Sequence, residues 1–363
     1  MSSTAKSSQA GEKTSFLKTI LVVACTVVVS CGGFLILKND DLPQIATTLI
    51  AIIWGVSSVA LIFYSLNLLA QLFNTKIYNK IVPYIFVGPA VIILAWYLLI
   101  PTLRSLVFSF MNNDSTKFVG LKNYITLFTD PQMLTSIRNT LIWLVFGTAF
   151  SVLFGLIAAI LADRSYIEKV GKTFIFLPMS ISLVGAGVIF KFMYSAKFGG
   201  AEQTGLLNAI VVAFGGEPKN WLTKAPGNNF FLIAIFIWLQ TGFALVVLSA
   251  ALKAVPEDMI EAARIDGAGE FRILIQVIIP NIRSSIVSVS TTILLAALKC
   301  FDIVYSMTNG MYGTEVLASQ QYKQMFTYRN FGLGSAIAIL ILIGVSPVVY
   351  YNLKEFSNRE AFK

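Results

Sequence analysis

Val255-Pro256-Glu257-Asp258-Met259-Ile260-Glu261-Ala262-Ala263-Arg264-Ile265-Asp266-Gly267-Ala268-Gly269-Glu270-Phe271-Arg272-Ile273-Leu274-Ile275-Gln276-Val277-Ile278-Ile279-Pro280 is a charged island between two long apolar runs. Seven of its positions are Asp, Glu or Arg, in a chain that is only 12% charged. Hydrocarbon cannot solvate so polar a segment, so residues 255–280 read as an aqueous loop pinned at both ends to a membrane. The loop has internal order. Pro256 suits the first position of a helix, Glu257 and Asp258 sit where the helix dipole favours anions, and Gly267 and Gly269 can end the helix. Between them, the small Ala262 and Ala263 would let another protein approach the backbone closely, with Glu261 beside them as an acceptor for cationic groups. The segment reads as a docking helix.

Composition demands a membrane independently. Hydrophobic residues make up 56% of the 363 and mean hydropathy is +0.76, whereas soluble domains are roughly 45–50% apolar. About 20 apolar residues cross a bilayer as a helix, and such stretches lie at about 19–37, 46–73, 82–110, 139–162, 173–194, 230–252, 284–306 and 334–353. The expected fold is an all-α polytopic membrane protein of about eight transmembrane helices. Pro83, Pro89 and Pro101 in the third stretch and Pro347 in the last are tolerable where neighbouring groups re-satisfy the freed backbone. Orientation follows from the basic residues. With the amino terminus inside, the inner segments hold Lys6, Lys13, Lys18, Lys76, Lys80, Arg164, Lys169, Lys172, Lys253, Arg264, Arg272, Arg283, Lys354, Arg359 and Lys363. That is fifteen of the 27 Lys and Arg, against nine outside, which places the 255–280 loop and both termini in the cytoplasm. The net charge of +9 is thereby explained by topology; the basic residues form no stripe of the kind that binds nucleic acid.

The first fifteen residues read as disordered. The apolar run that follows is longer than the core of a secretory signal, so it reads as a retained span despite Val28-Val29-Ser30-Cys31-Gly32, which faintly resembles a cleavage site. Cys25, Cys31 and Cys300 fall in apolar runs without metal-ligand or redox spacing. The longest outer segment, about 195–229, is rich in Gly and Pro and reads as a compact turn-rich loop. No catalytic or metal site is indicated: histidine is absent, and with it the commonest general base and most zinc sites. Gly171-Lys172-Thr173 looks like the end of a phosphate-binding loop, but Tyr166 stands where that loop needs its first glycine.

Glu261-Ala262-Ala263, Gly267 and Val277-Ile278-Ile279-Pro280 resemble the "EAA" loop, Glu-Ala-Ala-x3-Gly-x9-Ile-x-Leu-Pro, of permease subunits in binding-protein-dependent ABC importers, with Val277 and Ile279 as conservative replacements. The resemblance implies that Glu261, Ala262, Ala263, Asp266, Gly267 and Pro280 couple the chain to a cytoplasmic ATPase. It narrows to carbohydrate importers through Phe118-Val119-Gly120-Leu121-Lys122-Asn123-Tyr124, then Asn139-Thr140, Gly205-Leu206-Leu207-Asn208 and Trp221-Leu222, each weak alone and informative in their order. Residues 80–363 then correspond to a six-helix permease core of the ABC type I importer fold, and 16–75 to two extra helices like those of the larger maltose-permease subunit. After the seventh stretch the usual Gly-Gly-Pro is missing; Phe301-Asp302-Ile303-Val304-Tyr305 with Gly313-Thr314-Glu315-Val316 is similar to permeases for α-glucosides and for the compatible solute glucosylglycerol.

By the same resemblance, Met179, Gln240, Phe243, Ala297 and Cys300 fall where the maltose permease touches sugar. The residues themselves agree for Gln240, Thr241 and Phe243, since a sugar needs polar groups beside flat apolar faces. Lys299 and Asp302 stand out as ionisable residues near the end of the seventh stretch; three apart, they would share one helix face and neutralise each other, as a structural pair or as part of the pathway. The resemblance implies a second homologous permease, two cytoplasmic ATPase subunits carrying ATP and Mg, and an external sugar-binding protein, in a bacterial inner membrane. Two rivals stay open at this point: an ion-gradient-driven sugar carrier, for which Lys299 and Asp302 make a thin case, and a membrane-embedded transferase.

Overall fold

The computed structural model of the chain describes residues 16–38, 43–163 and 168–360; the first fifteen, expected to be disordered, lie outside these, as do Arg164 and Lys363 of the charge count. Among the described residues the regular structure is helical, apart from one isolated bridge between Met111 and Phe118. Six helices are long and apolar enough to cross a membrane, and two bent pairs bring the total to eight if each pair is one span. Two compact units divide the chain, Met1–Leu103 and Arg104–Lys363, with the division inside the third span.

The first unit is built on a hairpin of Phe16–Leu37 and Gln44–Gln71. Apolar side chains gain little from each other in lipid, so polar contacts and close packing hold such pairs. Thr26 and Ser65 share a buried hydrogen bond of 2.6 Å, and the Trp54 indole N–H donates to the carbonyls of Val29 at 3.0 Å and Ser30 at 3.2 Å. The third span, Thr75–Phe108, starts at Asn74, whose side chain accepts from the Ile77 N–H, and stacks Phe86 on Phe63. It survives its prolines by a local change of pitch. At Ala95–Leu99 the helix widens, so that the Ile100 N–H reaches back five residues to Ala95 immediately before Pro101. A proline cannot bond the carbonyl four residues back and would clash with it; the wider turn moves that carbonyl aside.

In the second unit the fourth span runs Pro131–Asp163, eight residues earlier than the sequence reading. Asp130 accepts from the N–H groups of Gln132 and Met133, and Pro131 occupies the first helical position, a strong start signal. Asn139 and Thr140 therefore lie inside the helix, fully or nearly buried. The Asn139 amide donates to the carbonyls of Gly313 at 2.7 Å and Glu315 at 2.8 Å, and the Thr140 hydroxyl accepts from the Leu317 N–H. Asn123 and Asn208 are used likewise: Asn123 donates to Ser109 and Met111, and Asn208 donates to Ser195 and Lys219 while accepting from Lys219. The scattered Asn elements of the sequence are thus staples that satisfy loop backbone which no helix can satisfy.

The fifth span is not the continuous helix expected over 173–194. Glu168–Ser180 and Leu183–Met193 meet at 102°. Pro178 opens the tight turn that ends the first piece, Ile181 is extended, and Ser182 caps the second by accepting from Gly185 N–H at 3.0 Å. The sixth span, Asn228–Lys253, is the axis of the core. Leu232, Ile233, Phe236, Leu245 and Leu248 along it are almost fully buried, and Phe236 meets Trp143 of the fourth span edge to face at 5.9 Å. The eighth span, Phe331–Asn352, lies in a helix that runs on to Glu360.

Candidate functional site: a docking helix and the two spans it joins

Residues 255–280 are not one loop. The docking helix is Glu257–Ile265 and a second helical piece, Glu270–Asn281, belongs to the seventh span, which bends by 71° before continuing as Arg283–Lys299. The bend follows another widened turn, where the Ile279 N–H reaches Leu274 just before Pro280. Pro256 is the capping residue and not the first helical one, and Gly269 starts the second piece instead of ending the first. Gly267 does end the docking helix. With φ of +78° it lets its own N–H reach the carbonyl of Arg264 and the Ala268 N–H reach that of Ala263, both at 3.0 Å. This paired closure uses a left-handed residue that glycine adopts without strain. Asp266 immediately precedes it, donating its N–H to Ala262.

The docking helix presents itself to solvent. Glu261, Ala262 and Asp266 are exposed and Ala263 is half-buried. Ile265 and Phe271 are 86% and 75% exposed, so the polar tip carries apolar surface of the kind that marks a protein contact. Arg264 is joined to Glu270 at 2.9 Å, across the turn that Gly267 makes. That hydrogen bond, together with the charges of Glu261 and Glu257, holds the Arg264 guanidinium proton more firmly than usual. Behind the helix lies a cavity of about 500 Å³, bordered by Asp163, Lys253, Glu257, Ile260 and Phe271.

Beside that cavity is a charge network that the sequence reading missed. Lys172 pairs with Asp163 at 2.5 Å and Glu168 at 2.6 Å and contacts the Ser249 hydroxyl; Ser249 donates to Asp163, and Lys253 pairs with Glu168. The ends of the fourth, fifth and sixth spans are joined there. Only the four-residue spacing of Glu168 and Lys172 was visible in sequence; the partners come from other spans.

The residues proposed for a substrate path lie far from this end. Gln240 and Phe243 stand 13 and ten residues before Lys253, and Ala297 stands 14 after Arg283, so both sets lie about 15–21 Å along their helices at 1.5 Å per residue. The Gln240 amide, half-buried, makes no hydrogen bond among the described residues. Met179 is 43% exposed in the tight turn near the break of the fifth span. The helix leading into that turn comes close to the sixth span because Gly242 lacks a side chain: a Cβ there would sit 2.7 Å from Phe176 Cα and from the Ile175 carbonyl oxygen. Ala297 and Cys300 are 4% and 2% exposed, packed within the core cluster.

Lys299 and Asp302 do not share a helix face. Arg283–Lys299 ends at Lys299, Cys300 turns extended with ψ of 102°, and Asp302 begins the separate helix Asp302–Met307. Neither forms an ion pair or a hydrogen bond among the described residues.

Comparison with known proteins agrees with this architecture. The chain is 52% identical over 278 residues to the osmoprotective compounds uptake permease protein GgtC of Synechocystis, covering 77% of this chain and all of that one. It is 43% identical over 327 residues to the alpha-glucoside transport system permease protein AglF of Rhizobium meliloti, covering 86% and 97%. A chain of the bacterial ABC transporter that imports alginate superposes with a TM-score of 0.65 at 21% identity, over 78% of this chain and 99% of that one, a likeness of fold. Residues 151–360 match the binding-protein-dependent transport system inner membrane component, and the chain belongs to that family, the permease subunits of ABC importers.

Proposed function

We propose that this permease carries a small carbohydrate, an α-glucoside, another short oligosaccharide or a sugar-derived compatible solute, and does so without catalytic chemistry of its own. It works beside a second homologous permease, with two cytoplasmic ATPase subunits that bind ATP and Mg and with an extracytoplasmic sugar-binding protein, in an inner membrane with both termini cytoplasmic. The observation that carries the substrate class is the likeness, over 86% and 77% of this chain, to a permease for α-glucosides and one for osmoprotective compounds.

The mechanism follows from connectivity. Glu261, Ala262, Ala263, Asp266 and Gly267 form the surface that seats on the ATPase, and Pro280 shapes the bend that follows. Movement there passes directly into the sixth and seventh spans, which flank the docking helix in the chain and carry Gln240, Phe243 and Ala297, with Cys300 just past the end of the seventh. Gln240 and Phe243, with Met179, offer an unused amide and flat or soft apolar surface to a sugar; Ala297 and Cys300 shape the wall behind them, and the partner permease supplies the remaining hydrogen bonds. Radiolabelled maltose, trehalose, sucrose and glucosylglycerol, offered to the purified components in liposomes, test this. Uptake of at least one, dependent on ATP and the binding protein, is the expected result; uptake of none overturns the carbohydrate assignment.

A further inference from the structure

At the end of the seventh span opposite the docking helix, four aromatic side chains from two short helical segments, Phe301 and Tyr305 on one and Tyr322 and Phe326 on the other, form a continuous ladder. Phe301 stacks on Tyr322 at 5.3 Å with the planes 20° apart, Tyr305 meets Tyr322 edge to face at 5.5 Å, and Tyr322 meets Phe326 at 5.1 Å. The ladder is open to its surroundings: Tyr305 is 46% and Phe326 69% exposed. Neither the Tyr305 nor the Tyr322 hydroxyl has a hydrogen-bond partner among the described residues.

A second ladder in the same chain shows what a structural one looks like. Phe190, Tyr194, Phe231 and Trp221 contact one another at 5.0–5.7 Å, but Tyr194 is 5% exposed and its hydroxyl donates to the Phe231 carbonyl at 2.9 Å. Buried tyrosines satisfy their hydroxyls in this way. The open ladder instead keeps two hydroxyls in reserve, and beside it in sequence stand Lys299, exposed, and Asp302, half-buried, both without an ion pair among the described residues. An array of flat faces, free hydroxyls and an unpaired carboxylate and ammonium is ill suited to lipid tails, where each charge is costly. It matches a ligand that alternates apolar ring faces with hydroxyl edges.

We propose that Phe301, Tyr305, Tyr322 and Phe326, with Lys299 and Asp302 as hydrogen-bonding groups, form a carbohydrate subsite distinct from the one around Gln240 and Phe243. It receives successive rings of an α-linked oligoglucoside. The proposal rests on the carbohydrate reading above, and its own content is a dependence on substrate length, because a longer chain covers more rings of the ladder.

The test uses the complete complex in liposomes, with the binding protein in excess and labelled maltose, maltotriose and maltotetraose as probes. In Tyr322→Leu and Phe326→Leu the rate for the longest sugar transported, relative to maltose, is expected to fall about threefold or more, the scale of one lost aromatic contact. Tyr322→Phe, which keeps the ring, should stay within about twofold on the same scale. Unchanged relative rates in the Leu variants overturn the subsite while leaving the carbohydrate reading intact. If the Leu variants do not assemble, Tyr305→Leu, at a ring that is 46% exposed, decides: an unchanged relative rate for the longest sugar makes the ladder a membrane-interface belt or a subunit contact and the proposal falls. If the unaltered complex takes up none of the three sugars but does take up trehalose, sucrose or glucosylglycerol, the subsite for linear oligoglucosides is wrong and the broader reading stands.

Discussion

Gln240 has an amide with no partner among the described residues, in a helix whose neighbouring hydroxyl, that of Thr241, is already returned to the Ile237 carbonyl at 2.7 Å. A group that costs nothing in folding when removed, yet gains one hydrogen bond with substrate, gives a clean expectation. Gln240→Ala should leave the amount of assembled complex unchanged and weaken transport about two- to tenfold, the value of one neutral hydrogen bond of about 0.5–1.5 kcal/mol; identical uptake kinetics in the variant place the sugar elsewhere. Asp302 yields the opposite kind of statement. Because the helix stops at Lys299, no mutual neutralisation holds the two charges together, and Asp302→Asn should assemble as well as the unaltered chain on a native gel. A loss of complex with rescue by Lys299→Met would restore the ion pair that three-residue spacing suggests. That spacing misled because residue identity says nothing about where a helix ends when the ending, here the extended Cys300, is imposed by packing in the core. Gln240 and Phe243 were legible because their chemistry is unusual in a span. The burial of Ala297 and Cys300 was not, since an apolar residue reads alike on a path and in a core.

The docking helix was legible as an element because its signals are local: charge among apolar runs, acids in the first turn, glycine after the last. Gly267 lies in open space with φ of +78°, so its requirement is conformational and not steric. Gly267→Asn should therefore retain substrate-stimulated ATP hydrolysis, while Gly267→Val, which pays roughly 1–2 kcal/mol or more for a left-handed backbone, should form the complex but lose much of the stimulation. Equal stimulation in both variants removes the turn from the coupling path. Ala263→Asp, a charge placed on a half-buried position of the contact face, should uncouple transport from hydrolysis without preventing insertion, measured as ATPase activity that no longer responds to loaded binding protein. The bends were not legible. A hydropathy window spans the 102° break of the fifth element and the 71° break of the seventh without a dip, because Pro178, Ser182 and Pro280 redirect the helix axis while the surrounding side chains stay apolar. The widened turns before Pro101 and Pro280 share this invisibility: the proline is in the sequence, but the turn that absorbs it is chosen by the backbone.

For the whole molecule, the family membership settles what composition could only bound, and the energy source becomes the measurement of choice. Uptake in vesicles should vanish without ATP and survive collapse of the proton gradient; persistence on a gradient alone would favour the carrier that Lys299 and Asp302 once suggested. The number of helices was readable from hydropathy, and their connection through buried Asn139, Asn123 and Asn208 was present in the sequence as small motifs whose stapling role only the fold reveals. The position of the docking helix, strung between the sixth and seventh spans, also limits what one chain can do. Both walls hang from one short crank, so a push on it swings them the same way. A single permease can therefore lean but cannot pinch. Occlusion then needs an opposing jaw on another chain, and a cross-link between the sixth and seventh spans of this chain should be tolerated in transport where one between the two permeases arrests it.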